Sequence, residues 1–146
     1  MTKLLSATEV RKEWSKFVDE VVWIKPAFVK RKHDIVAVIS LDMLESILEE
    51  YNLTVSVFQE EDKSYTGVCS EIDLMVNATD TEMLRTKIAV EILEYSEEYI
   101  NDFKLYYSSL NRKKHFPYVY RAFAAGGDLE KIKKMFIFKN NPQKKG

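Results

Sequence analysis

The stretch Leu5–Val21, LSATEVRKEWSKFVDEV, followed at residues 25–50 by KPAFVKRKHDIVAVISLDMLESILEE, decides how the chain is built. Ser6-Ala7-Thr8-Glu9 fits a capping box, in which the serine hydroxyl accepts from a backbone N–H and the glutamate reaches back. Ala7, Val10, Trp14, Phe17, Val18 and Val21 then recur at steps of three and four, so they share one face of a helix about four turns long. Arg11, Lys12, Glu13, Lys16, Asp19 and Glu20 fall on the opposite face. Pro26 prevents that helix from continuing, because it lacks an N–H and clashes with the preceding turn. Upstream, Lys3-Leu4-Leu5 is long enough only for an edge strand.

Two β-like runs follow, Ala27–Lys30 and Ile35–Ile39, enclosing the tight basic turn Arg31-Lys32-His33-Asp34. The second run is apolar on both faces and reads as the more buried strand. Ser40 then caps a helix with the stripe Leu44, Ile47, Leu48 and Tyr51. Seven polar residues are left over by this core. Ser6 and Thr8 stand at a helix N-terminus, whose free N–H groups favour a phosphate. Arg11, Lys12, Lys30, Arg31 and Lys32 would add charge-assisted phosphate contacts, and a dimer doubles the footprint. The competing reading is ordinary solvated charge, diluted by Glu9 and Glu13.

Residues 1–50 resemble the N-terminal domain of the Phd/YefM antitoxins in their order of strand, helix, hairpin and helix, and in the SxxExR stretch ending at Arg11. The resemblance implies a homodimer that binds operator DNA and represses its own operon, with Arg11 and Arg31 carried over by position. The chain departs from the family at the turn. Lys32 and Asp34 stand where the family has a glycine and, two residues on, a proline, and the alanine of the apolar strand is displaced by one.

The middle segment has a different pattern. Leu53, Val55 and Val57 alternate with Thr54, Ser56 and Phe58, a half-buried strand. A polar turn from Gln59 to Ser64 leads into Tyr65-Thr66-Gly67-Val68, and Ile72–Val76 offers a third strand. Several N-caps overlap next, including Thr79 with Glu82 three residues on. Leu84, Ile88, Ile92, Tyr95, Tyr99, Phe103, Tyr106 and Leu110 then keep a step near the helical period, with a break allowed at Asn101-Asp102. The line VSVFQEEDKSYTGVCSEIDLMVNATDTE, residues 55–82, resembles the HicB-like domain, a partial ribonuclease-H-like βββα fold. That resemblance implies a module that oligomerises and contacts a toxin.

The tail reads as helical. Pro117 opens a helix through Ala125 that Gly126-Gly127 stops, and Asp128 caps a last helix with Leu129, Ile132, Met135 and Phe136 on one side. Residues 140–146 are expected to fray. The net charge of −1 hides a segregation: residues 51–110 hold 4 basic against 12 acidic side chains, and residues 111–146 hold 10 against 2. The basic helices either pack on the acidic segment or, through Tyr118, Tyr120 and Arg121, face single-stranded nucleic acid.

Several classes are disfavoured. There is no run of about 18 apolar residues for a membrane span, and a single cysteine, Cys69, makes no internal disulfide. Glu60, Glu61, Asp62, Glu71 and Asp73 read as surface carboxylates rather than a magnesium site, and neither His33 nor His115 has a marked orienting partner. The expectation is a cytoplasmic, non-enzymatic α+β protein without cofactor or metal. It comprises a Phd/YefM-like DNA-binding and dimerisation domain at 1–50, a HicB-like βββα domain at 51–110, and a basic helical extension at 111–146. Its expected partners are operator DNA, a toxin and its own second copy. The rival is an oligomeric interaction module whose Phd-like core no longer binds DNA.

Overall fold

The computed structural model describes residues 4–141 and divides into two compact units, Met1–Ile47 and Leu48–Gly146. Lys3 of the expected edge strand and most of the segment expected to fray lie outside the described residues. No helix among those described is long and apolar enough to cross a membrane.

The first unit runs β1 (Leu4–Ser6), α1 (Ala7–Lys12), α2 (Trp14–Trp23), β2 (Ala27–Arg31), β3 (Asp34–Val38) and α3 (Leu41–Leu48). β2 is the central strand, parallel to β1 and antiparallel to β3. Phe17 and Val21 of α2 bury Val29 of β2, and Leu5, Ala7, Val10, Val18, Ala27 and Val38 close around them. The expected caps form: Ser6 Oγ accepts from the Glu9 N–H at 3.1 Å, and Ser40 Oγ from the Met43 N–H at 3.2 Å. Each such cap is worth about 1 kcal/mol.

Two expectations change here. The first helix is interrupted at Glu13 (φ −124, ψ 47). Glu13 closes α1 by donating to Glu9 O and opens α2 by accepting from the Phe17 N–H, so two helices meet at this residue. The burial order of the strands is also reversed. Ile35 and Val36 of β3 are 53% and 55% exposed, whereas Val29 of β2 is buried. β3 is an edge strand, so even Val36, paired with Val29 on the face the helices cover, stays exposed, and Ile35 lies on the face they leave open. An apolar run on both faces therefore marks two surfaces to be covered, not two already covered.

The second unit contains β4 (Leu53–Gln59), β5 (Tyr65–Cys69), a 3-10 turn (Ser70–Ile72), β6 (Leu74–Ala78), α4 (Thr81–Asn101), α5 (Phe103–Ser108), α6 (Leu110–Lys113), α7 (Phe116–Ala124), α8 (Leu129–Lys133) and β7 (Phe136–Asn140). The sheet order is β6-β5-β4-β7, antiparallel except for the parallel β4–β7 pair. Leu53, Val55 and Val57 point inward, as their alternation requires, against Leu84, Ile88, Ala89 and Ile92 of α4. Asp80, not Thr79, caps α4 by accepting from the Met83 N–H at 2.7 Å.

The third strand starts at Leu74, two residues later than its apolar pattern suggests, because Ser70–Ile72 form a 3-10 turn that ends at Asp73 in the left-handed region (φ 55). The Glu71 carboxylate fastens this turn to the sheet by accepting from the Thr54 N–H at 2.9 Å. It also lies 3.7 Å from the Cys69 sulfur, and burial together with that charge pushes the Cys69 thiol up to about 12. Among the described residues no three His, Cys, Asp or Glu side chains are placed to share a metal ion.

The tail differs most from expectation. Its last helix stops at Lys133, and Phe136–Asn140 form β7, paired in register from Leu53↔Phe136 to Val57↔Asn140. Residues 111–141 are therefore part of the second unit's core, which includes Ala122, Ile132, Met135 and Phe136. The attachment is apolar rather than a matching of opposite charge. Among the described residues the only contact of this kind joining the acidic segment to the basic one is the Asp73 carboxylate 3.4 Å from the buried His115 ring. Arg121 instead donates to Tyr51 O and Asn52 Oδ1 at 2.8 and 2.9 Å, and the Arg85 guanidinium lies 4.3 Å from the Phe138 ring centroid.

Gly67 marks the closest approach of α4 to the sheet. A Cβ placed there would lie 2.8 Å from Ile88 Cδ1 and 2.9 Å from Val55 Cγ1. Gly67→Ala is expected to destabilise the fold by about 1–3 kcal/mol through overpacking, measured by urea unfolding.

Candidate nucleic-acid interface

All seven polar residues left over by the first core are exposed. The topology brings them toward one end of the sheet. β1 and β2 run parallel with Ser6 opposite Lys30, so the start of α1 and the tip of the β2–β3 hairpin leave the sheet at the same end. Thr8 follows Ser6 by two residues, and Arg31 and Lys32 follow Lys30 directly.

Thr8, Arg11 and Lys12 are spaced i, i+3, i+4 and share one face of α1. Glu9, three residues before Lys12, borders that face, and with Glu13 it lines a cleft of about 110 Å³ together with Leu5, Phe17, Lys16 and Glu20. The basic residues of α1 therefore keep acidic neighbours.

Among the described residues, Arg11, Lys12, Lys30 and Lys32 form no ion pair, and Arg31 has only a 4.0 Å contact with Asp34, both side chains being mostly exposed. Such a contact contributes little to stability. The anion-binding capacity of the α1 N-terminus is smaller than its sequence suggests, because the Ser6 hydroxyl already occupies the Glu9 N–H. Lys32 stands out for its backbone. Its φ of 57 lies in the left-handed region, in a two-residue turn closed by the Arg31↔Asp34 pair. Glycine adopts that conformation without cost, whereas an L-side chain there costs about 1–2 kcal/mol.

The outer face of the same sheet is apolar. Leu4, Phe28 and Ala37 align across β1, β2 and β3, with Ile35 beside Lys30 in the next row. Phe28 is 46% exposed, and Trp23, at the end of α2, is 81% exposed. Sequence reasoning missed this face because it assigned β3 to the interior.

The chain belongs to the Phd-like family, antitoxins of RelE/RelB toxin–antitoxin systems, whose profile matches residues 1–137. A crystal structure from Syntrophomonas wolfei subsp. wolfei, an antitoxin part of a candidate toxin/antitoxin system, is similar at 29% identity and a TM-score of 0.89. The alignment covers 96% of this chain and 100% of that one. No curated protein matches the chain. The protein is thus an α+β antitoxin of a toxin–antitoxin system.

Proposed function

We propose that the chain is an autorepressing antitoxin with two working surfaces and no catalytic activity. The first unit, in the manner of the Phd/YefM domain it resembles, forms a homodimer that binds operator DNA in the cytoplasm through Ser6, Thr8, Arg11, Lys12, Lys30, Arg31 and Lys32. The second unit, whose β4–β5–β6 meander followed by α4 accords with a HicB-like module, binds the toxin. The observation that carries the DNA reading is the exposed basic hairpin tip, held only by the 4.0 Å Arg31–Asp34 contact, at the same sheet end as α1, with a lysine in a conformation suited to glycine. Backbone outliers of this kind cluster at functional sites. The apolar outer face around Phe28 supports the dimer, since contiguous exposed apolar surface marks an interaction site.

The mechanism is occupancy. Two copies of the basic end neutralise phosphates on a short duplex and displace condensed counterions, and the bound dimer excludes polymerase. The reading is tested with a reporter driven by the promoter of the protein's own operon. Supplying the chain in trans represses the reporter, and co-supplying the toxin changes that repression. An unaltered reporter signal contradicts the proposal.

Lys32→Gly separates the two consequences of the strained turn. Relief of the left-handed backbone is expected to raise stability by about 1 kcal/mol. Loss of the cation is expected to weaken operator binding and lower its salt dependence, since each phosphate contact contributes about 0.9 to the slope and a dimer loses two. Thermal unfolding and a salt-titrated binding curve check the two effects separately.

A further inference from the structure

The second unit holds a cavity of about 290 Å³ between the turn before β6, α4 and the short α5–α6 helices. Its charge is strongly one-sided. Glu91, Glu94 and Glu98 of α4 line one wall and Asp73 another, against the single cation Arg112. Arg112 does not neutralise them. Among the described residues it makes no ion pair, and its guanidinium lies 4.8 Å from the Tyr106 ring centroid and 5.9 Å from that of Tyr95.

At the back of the cavity is His115, only 2% exposed. Its Nδ1 is 2.7 Å from the Tyr95 hydroxyl, whereas its buried Nε2 has no hydrogen-bond partner. Asp73 Oδ2 is 3.4 Å from Nε2 but not aligned for a hydrogen bond, so it acts there as a nearby charge. A buried polar atom left without a partner is destabilising, and a suitable ligand atom recovers that loss. Burial holds His115 below the ordinary imidazole value, opposed by Asp73 and reinforced by Lys114 and Arg112. Burial thus favours the neutral ring, and in the tautomer whose Nδ1–H donates to Tyr95 its Nε2 is an acceptor.

We propose that this pocket receives a guanidinium group, presented by an arginine side chain of the partner protein. The assignment to a partner rests on the toxin-binding role proposed above. The carboxylates are spread along α4, Glu91 and Glu98 being about 10 Å apart along the axis, which does not suit a metal ion, and no metal-binding group of side chains occurs among the described residues. A guanidinium has five N–H donors in a planar fork and stacks on aromatic rings. It satisfies Nε2 and a carboxylate together.

The test uses the full chain and needs no toxin. Nα-acetyl-arginine amide, Nα-acetyl-norleucine amide and agmatine are titrated while the His115 ring signal is followed by NMR. A saturable shift is expected with the arginine probe and none with the norleucine probe. Glu91→Gln/Glu94→Gln, at exposed positions that do not threaten the fold, is expected to weaken binding about tenfold or more. Absence of a saturable shift with the arginine probe, or equal affinity in the double variant, overturns the pocket. Tighter binding of agmatine, a free dication, than of capped arginine overturns the assignment to a protein side chain. Because the probes replace the toxin, failure here leaves toxin binding itself to be judged by the reporter and its response to the toxin.

Discussion

Replacing Arg11 and Arg31 together by alanine is expected to weaken operator binding about a hundredfold at physiological salt. A dimer loses four cations, and the slope of log K against log salt becomes shallower by about 3.5, since each phosphate contact carries about 0.9. Neither residue belongs to the core of the first unit, so the variant's unfolding curve is expected to lie within about 0.5 kcal/mol of the parent. Exposed charge that touches no DNA predicts the opposite, an unchanged affinity with an unchanged slope. Fluorescence anisotropy at several salt concentrations distinguishes the two, because the slope reports the number of contacts whatever the sequence bound.

Tyr99→Ala is expected to be the most damaging single substitution in the second unit, at about 3–5 kcal/mol. The ring is fully buried, lies against Tyr106 at 5.2 Å between centroids and is bordered by Tyr95, Phe103 and Phe116. Its hydroxyl donates to Arg112 O at 2.7 Å, fixing α6 against α4. Tyr99→Phe keeps the packing and removes only that bond, for an expected loss of about 1 kcal/mol. Chemical denaturation of both variants separates the cavity from the hydrogen bond. Comparable losses in the two would assign the stability to the hydrogen bond rather than to the packing.

The elements whose signals are local were legible in the sequence. The helix spacing of Val10, Trp14 and Phe17, the alternation of Leu53, Val55 and Val57, and the stop at Gly126-Gly127 each reached the structure as helix, strand and helix end. Asn101-Asp102 allows a break by its capping residues, and α4 ends there. What failed depends on partners distant in sequence. Phe136 continues the helical spacing of Ile132 and Met135, and only β4, more than seventy residues earlier, makes Phe136–Asn140 a strand. Leu110 fits the long stripe, yet it is 90% exposed because the chain turns at Ser109 before reaching it.

The candidate site was legible in its residues but not in its placement: only the parallel β1–β2 pairing brings the start of α1 and the hairpin tip to one end of the sheet. His115 gave no signal at all. A lone histidine in a basic run becomes informative only when Tyr95, Asp73 and three glutamates are folded around it.

The most direct measurement is binding of the full chain to the duplex upstream of its own gene, beside random duplex of equal length, at about 50 and 200 mM salt. With five cations per protomer offered to phosphate, the account predicts a loss of at least about a thousandfold in affinity between the two salts. It also predicts a preference for the upstream duplex of about a thousandfold or more. Affinity for that duplex no greater than for random DNA would contradict it.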